Sequence, residues 1–252
     1  MKGEKSVNHI FHIHTFRCGH ASDEADERYV LKAVELGANK ITFTDHCPFP
    51  QNPFGNRMDI EQLDEYLSSL WGLKEKYKSR IEIEVGLEIE YLPSFGGFYR
   101  ELRANPKIQF MLLGQHFFEH ENGEMSFMDE GEAKKNEAAG CMDAMAKALD
   151  TCLFDAIAHP DRCFRRRKSW TPDMESLSLS LIDKAVRKGV PLEVNMSSCK
   201  QHRHSKYFWK EFWTLAEKEG AKTIAGLDAY STEEMQALSE LAQKQNFASM
   251  SM

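Results

Sequence analysis

What this chain lacks narrows the field first. None of its 252 residues falls in an apolar run approaching the roughly 18 residues of a membrane-spanning helix. The stretch "MKGEKSVNHIFHIH" holds no apolar segment of about 7–15 residues, so no secretory signal is read there. Six cysteines are present (18, 47, 141, 152, 163 and 199), but no CxxC pair and no dense framework. They read as reduced, small packing residues of a cytoplasmic protein. Positive charge is in deficit: 32 Lys and Arg face 39 Asp and Glu, a net charge of −7. An acidic chain gains little from counterion release, which disfavours nucleic acid as a partner. Low-complexity segments, linkers and short repeats are missing. So is a GxSxG nucleophile motif, and a covalent acyl- or phosphoryl-serine route is not expected.

What is present is a sizeable core and a repeating rhythm. The chain is 42% hydrophobic, enough for one large α/β domain spanning 1–252. Short apolar runs recur at 7–13, 40–44, 81–87, 108–114, 154–158, 190–195 and 221–227. Amphipathic segments alternate with them. Residues 23–37 carry apolar positions at helical spacing and stop at Gly37; 59–78 and 132–150 have the same spacing. Residues 171–189 open on a Thr171 cap with Pro172 in the first helical position and stop at Gly189. A fifth segment, 205–220, ends at Gly220. Seven strand–helix alternations predict a largely parallel sheet, open or closed.

The polar residues favour closure. Nearly every apolar run ends in a group able to hold a metal or move a proton: His12 and His14, Asp45 and His46, Glu88, His116, His159, Glu193 and Asn195, and Asp228. In a β/α barrel the C-terminal strand ends converge on one face, where chemistry is done. The segment "HIFHIHTFRCGHA" (9–21) alone holds four of the ten histidines. Residues i and i+2 of a strand share a face, so His12 and His14 are expected to project together, with Phe11 and Ile13 turned to the helix layer. A pair of hydrogen-bonded core histidines would look the same at this point. In "LGQHFFEH", His116 reads as a ligand and His120 as facing solvent. Four strand-end histidines with a Glu and an Asp are the donor set of a multinuclear site for Zn, Fe or Mn, in which a carboxylate can bridge two ions. Two basic stretches, 161–169 and 197–206, would lie on the same rim, where Arg and Lys hold phosphate oxygens.

The ordered segments "HIHTFRCGHA", "FTDHCPFP", "GLEIEY", "LGQHFF", "AHPDRC", "LEVNMSS" and "GLDAYS" resemble the motifs of the PHP (polymerase and histidinol phosphatase) superfamily. They are most similar to its monofunctional histidinol-phosphate phosphatase branch. "FGNRMDIEQLDEYLSSLWGLKEKY" is also similar to that branch, and the likeness runs from about residue 9 to 235. The resemblance implies a distorted (β/α)7 barrel of parallel strands with two or three divalent ions (Zn, Mn or Fe) at its C-terminal face. By motif, His12, His14, Glu88 and Asp228 would hold the first ion. Glu88 would bridge to a second, held by His116 and His159. His20 and His46 would hold a third with a histidine that is here Tyr230. A neutral phenol is a poor ligand, and the usual phenol pKa of about 10 stands against phenolate.

The implied activity is metal-dependent phosphomonoester hydrolysis, with L-histidinol phosphate, an intermediate of histidine biosynthesis, as substrate. Several cations suit a reaction whose uncatalysed rate is among the slowest known. Asp45, His46 and Glu88 would serve the chemistry, Asp45 by orienting His46 or shuttling a proton. Arg165 and Lys200, backed by Arg17 and Arg162, would contact the phosphate. Two alternatives stay open: a phosphoesterase for another small ester or nucleotide, and a non-catalytic metal-binding domain.

Overall fold

The computed structural model describes residues 8–120, 123–128, 136–201 and 208–244. The expectations for the first turn of 132–150 and for 202–206 lie outside these residues. All seven apolar runs form strands: β1 (His9–Ile13), β2 (Lys40–His46), β3 (Glu82–Ile89), β4 (Phe110–Leu113), then β7 (Ala156–Ile157), β8 (Leu192–Asn195) and β9 (Thr223–Gly226). They pair in that order, all in parallel. The last strand returns to the first. Leu227 N donates to Phe11 O at 2.8 Å and His14 N to Ala229 O at 3.0 Å, with a parallel bridge between Ile13 and Ala229. The sheet is therefore a nearly closed seven-stranded barrel, its seam held by this bridge beyond the end of β9.

Two short strands missed by the sequence reading, β5 (Phe117–Glu119) and β6 (Met125–Phe127), make an antiparallel hairpin directly after His116. His120 belongs to this hairpin. It is half-buried and within 2.8 Å of Ser126 Oγ, where a solvent-facing ring was expected.

Helices clothe the barrel: α1 (Asp26–Glu35), α2 (Leu63–Tyr77), α3 (Gly96–Ala104), α4 (Glu137–Asp150), α5 (Pro172–Lys188), α6 (Met196–Gln201), α7 (Lys210–Lys218) and α8 (Thr232–Lys244). α5 starts as its sequence dictates. The Thr171 hydroxyl accepts from Met174 N at 3.3 Å, Pro172 fills the first turn, and Gly189 closes the helix at φ +69°. Apolar faces of these helices pack on the outward side chains of the strands, Ile10, Ile13, Ile41, Phe43, Ile83 and Val85 among them. A second, smaller apolar cluster fills the barrel interior: Phe11, Phe110, Leu112, Ala156, Ala158 and Ile224.

Phe11 thus points inward, against the expectation that it would join the helix layer. Phe11 keeps the regular alternation with Ile10, and the register irregularity comes after it, at His12 with φ +69°, turning that ring to the centre as well. A bulge re-aims the side chains that follow it. Close packing of the wall has its own requirement. A Cβ on Gly86 would lie 2.6 Å from Phe110 O, so only glycine lets β3 and β4 approach this closely.

Candidate metal centre

The mouth at the C-terminal ends of the strands gathers buried imidazoles and carboxylates from six strands. In this cluster the Nε2 atoms of His12 and His14 lie 3.0 Å apart. Asp228 Oδ1 stands 3.3 Å from His14 Nε2 and 3.8 Å from His12 Nε2. Glu88 reaches from β3 to the centre. Its Oε1 is 3.0 Å from His159 Nε2 and 3.6 Å from His116 Nε2, and its Oε2 is 3.0 Å from His46 Nδ1. Register explains part of this, because His46 and Glu88 are direct neighbours across β2 and β3.

Local backbone was shaped to deliver these groups. His12, His159 and Asp228 all have positive φ, at +69°, +29° and +54°. Such residues cost on the order of 1–3 kcal/mol each and persist where the surrounding structure imposes them, often at functional sites. Two glycines make room for carboxylates. A Cβ on Gly114 would collide with Glu88, and one on Gly226 with Glu193.

A set of polar residues behind the cluster fixes its tautomers. Glu193 Oε1 takes His12 Nδ1 at 2.5 Å, leaving the Nε2 lone pair directed at the centre. Glu193 Oε2 accepts from His159 N at 3.0 Å and from Asn195 Nδ2 at 3.2 Å. Asn195 also donates to Asp228 Oδ2 at 3.1 Å. Glu90 does the same for His116, taking its Nδ1 at 2.7 Å and its backbone N at 2.8 Å. Carboxylates that grip the far nitrogen of an imidazole are the usual support of a ligating histidine. Sequence alone places Glu193 and Asn195 among the strand-end groups able to hold a metal or move a proton and does not single out Glu90. Each stands two residues from another site residue, a spacing that signals a shared strand face.

The electrostatics are those of a site tuned for cations. Burial alone would lower the pKa of His12, but Glu193, Glu88 and Asp228 outweigh it and raise it well above the ordinary value. His14 is likewise pushed up to about 9, against burial, through Asp228 and Asp45. Burial works to raise the Glu88 and Asp228 pKa values, yet the surrounding histidines hold both well below the carboxylate range. Burial and the nearby His14 lower His46 well below its ordinary value.

Do these residues fit metal ions? Three buried side-chain atoms of the cluster, His14 Nδ1, His46 Nδ1 and Glu88 Oε2, make no hydrogen bond, although His46 Nδ1 and Glu88 Oε2 lie 3.0 Å apart and His14 Nδ1 lies 3.5 Å from Asp45 Oδ1. Unpaired buried polar atoms are costly, and convergent lone pairs on imidazole and carboxylate are what a divalent ion would satisfy. Donor atoms lie within 4.8 Å of one another in four groups: His12–His14–Asp228, Glu88–His116–His159, His14–His46–Glu88 and His14–Cys18–Asp45. The first two share no residue. The donor set fits.

Other expected residues sit differently. Asp45 does not reach the His46 ring. Its Oδ1 accepts from His46 N at 2.8 Å and lies 3.5 Å from His14 Nδ1, while Oδ2 accepts from Thr15 N and the Thr15 hydroxyl. It is fully buried, lines neither cavity of the mouth, and so orients His14. His20 is exposed and belongs to none of the four donor groups. Tyr230 holds the neighbouring corner, and burial keeps its phenol pKa well above the usual value. Arg17, expected behind the phosphate, lines neither cavity. Its guanidinium forks onto Asp26 at 2.8 and 3.0 Å and onto Glu65 at 2.7 and 2.8 Å, tying α1 to α2 beneath the first motif.

Above the cluster opens a cavity of about 280 Å³. Its floor is His20, His46, His116 and Tyr230, and Phe54, Phe117 and Phe127 form an aromatic wall. Arg57 and Arg162 supply positive charge. Arg162 Nη1 lies 4.0 Å from Asp228 Oδ2. Arg57 went unnoticed in the sequence, more than thirty positions from any other residue of the mouth except His46 and its own loop. Its guanidinium lies 4.6 Å over the Phe54 ring and 3.6 Å from Glu90. Arg165 lines neither cavity, and exposed Lys200 lines an adjoining one of about 460 Å³. All six cysteines are free thiols, and only Cys152 is exposed.

Comparison with known proteins follows the same line. The PHP domain model matches residues 11–197. A Deinococcus radiodurans protein named "Probable histidinol-phosphatase" is 25% identical over 234 residues, covering 89% of this chain and 86% of that protein. A Listeria monocytogenes protein, provisionally named a histidinol phosphatase, superposes with a TM-score of 0.75 at 19% identity, covering 90% of this chain and 96% of the other. The histidinol phosphate phosphatase of Lactococcus lactis, solved with zinc, L-histidinol and phosphate, superposes with a TM-score of 0.67 at 17% identity and covers 94% of each chain.

Proposed function

The chain belongs to the PHP domain family, and from that premise we propose that it is a metal-dependent phosphomonoesterase that hydrolyses L-histidinol phosphate to L-histidinol and inorganic phosphate. The observation that carries the reaction class is the pair of separate donor trios, His12–His14–Asp228 and Glu88–His116–His159, beneath a cavity bearing two arginines. The substrate rests on the similar proteins, one of which is named for this activity and another of which binds L-histidinol and phosphate.

Borderline divalent ions, zinc foremost, suit the donors. When bound they offset charge on the phosphoryl oxygens and lower the pKa of water. The rest of the work falls to the chain. Arg162 and Arg57 draw the phosphoryl dianion to the floor of the cavity, Arg offering paired donors to its oxygens. Phe54, Phe117 and Phe127 form an apolar flank for the remainder of the ester and exclude water from that side. Glu193 and Glu90 keep His12 and His116 in the tautomer that presents Nε2. His46, its pKa lowered by burial and the nearby His14, faces the cavity and would offer an imidazole lone pair to a bound ion. The activity would belong to histidine biosynthesis in the cytoplasm. Among the described residues no helix is long and apolar enough to cross a membrane.

A substrate panel tests the reading. Metal-loaded protein is expected to release phosphate from L-histidinol phosphate at least about 100-fold faster, in kcat/KM, than from glycerol phosphate, a difference of about 2.7 kcal/mol. Equal rates would overturn the substrate and leave the reaction class standing. Release from neither ester would overturn both.

A further inference from the structure

The buried acid Asp45 stands between the metal centre and the helix layer, and both its backbone and its side chain are held. Its backbone N donates to the Tyr66 hydroxyl at 3.4 Å, and that hydroxyl donates on to Gly86 O at 2.8 Å. Its Oδ1 accepts from His46 N at 2.8 Å and lies 3.5 Å from His14 Nδ1. That ring nitrogen makes no hydrogen bond, so the Asp45 carboxylate is the polar group it is set against. The other nitrogen of the ring, Nε2, faces His12 Nε2 and Asp228.

Behind Asp45 stands Thr15, fully buried and directly after His14 in the chain. Its backbone N donates to Asp45 Oδ2 at 3.2 Å, and its hydroxyl donates to the same oxygen. The direction of the second bond is fixed, because an ionised carboxylate only accepts. The hydroxyl oxygen is then left to accept, and it takes Arg17 Nη1 at 3.2 Å. A guanidinium only donates. The bonds therefore run one way, from Arg17 to Thr15 to Asp45, and Asp45 faces His14. Their starting point is rigid. Arg17 is forked onto Asp26 and Glu65, and its guanidinium carbon lies 5.6 Å from the centre of the Tyr66 ring.

We propose that Thr15 is a positioning residue for the metal centre. Its hydroxyl ties Asp45 to the Arg17 clamp between α1 and α2, and so fixes the acid against which the His14 ring is set. The inference rests on the reading of the mouth as a metal centre. Thr15 lines neither cavity of the mouth, so it acts through Asp45 and not on a substrate. Without the hydroxyl, Asp45 Oδ2 would keep only the Thr15 backbone donor, and Arg17 Nη1 would lose one of its buried acceptors. Partners that orient a ligating histidine typically contribute about 10–100-fold to metal affinity.

The test is zinc affinity, read apart from catalysis. The full chain is stripped with a chelator and titrated with Zn²⁺ against a competing chromophoric chelator. Thr15→Val keeps the shape of the side chain and loses the hydroxyl. One of its binding steps should be at least about 10-fold weaker than in wild type, and His14→Ala should lose that same step. Thr15→Ser keeps the hydroxyl and should bind within about threefold of wild type. A role in packing alone would lower the denaturant midpoint of the metal-free chain and leave zinc affinity unchanged. Should Thr15→Val fail to fold, judged by its far-UV spectrum, Thr15→Ala removes the same hydroxyl and is scored in the same way. Three results would each overturn the proposal and leave the phosphatase reading intact: wild-type affinity in the folded Val or Ala variant, weakening of a step that His14→Ala retains, or a Ser variant as weak as the others. A wild-type chain that binds no zinc would overturn both.

Discussion

The two ends of the barrel both bury imidazoles beside carboxylates, and they are built differently. At the N-terminal end His9 Nε2 meets the Thr42 hydroxyl at 2.8 Å. Thr42 donates in turn to Glu84 Oε2 at 2.8 Å, and Lys40 closes on Glu84 Oε1 at 2.9 Å. None of these side chains has a buried atom lacking a partner. Burial, with help from Lys40, pushes the His9 pKa down to about 4, so the ring is neutral. At the C-terminal end buried imidazole nitrogens and carboxylate oxygens crowd together in four donor groups, and three of these side chains keep an atom that makes no hydrogen bond. The Phe11–Phe110–Leu112 plug separates the two ends. The same residue types make a closed structural network at one end and a set of open ligand atoms at the other. What tells them apart is whether donors and acceptors pair off.

That contrast can be broken in graded steps. Glu88→Gln removes the carboxylate that both His46 and the His116–His159 pair face. We expect phosphate release to fall by at least about 10³-fold and bound metal to drop, measured by single-substrate kinetics and elemental analysis. Glu193→Gln weakens the acceptor behind His12. It should cost about 10–100-fold in metal affinity, with kcat largely restored at saturating metal.

Arg162→Ala should raise KM for the phosphate ester about 10-fold while metal content stays at the wild-type value. The pH dependence has a definite sign. In the metal-free protein His14 carries its proton up to about 9, and a ligand must shed it. Apparent metal affinity should therefore climb with pH, by up to about 10-fold per unit for this group below 9, and level off above it. Affinity independent of pH from 6 to 9 would contradict the assignment of His14.

Smallest of all should be the effect of Glu84→Gln at the opposite end. We expect activity within about twofold of wild type and a loss of stability on the order of 1–3 kcal/mol from the broken network, read by denaturant titration. A large loss of activity there would erase the distinction between the two ends.

Much of this was legible from residue order alone. The seven strands announced themselves as apolar runs, and their polar terminal residues marked the mouth. What stayed hidden shares a physical character. Arg17 looked like a rim cation because its partners, Asp26 on α1 and Glu65 on α2, meet it only in three dimensions. Arg57 reaches the cavity from a loop whose sequence shows no periodicity. The hairpin β5–β6 has strands of three residues, below what alternation can reveal. His12 and His14 do converge, but through a bulge that a regular two-residue repeat does not contain. Glu90 and Glu193 were within reach, since each continues a face already marked by a neighbour two positions away.

The most direct measurement is phosphate release from L-histidinol phosphate by one preparation before and after chelation and again after metal is restored. The account predicts release that vanishes with the chelator and returns as Zn²⁺ or Mn²⁺ is added back. Undiminished release from protein shown to hold no metal would contradict it.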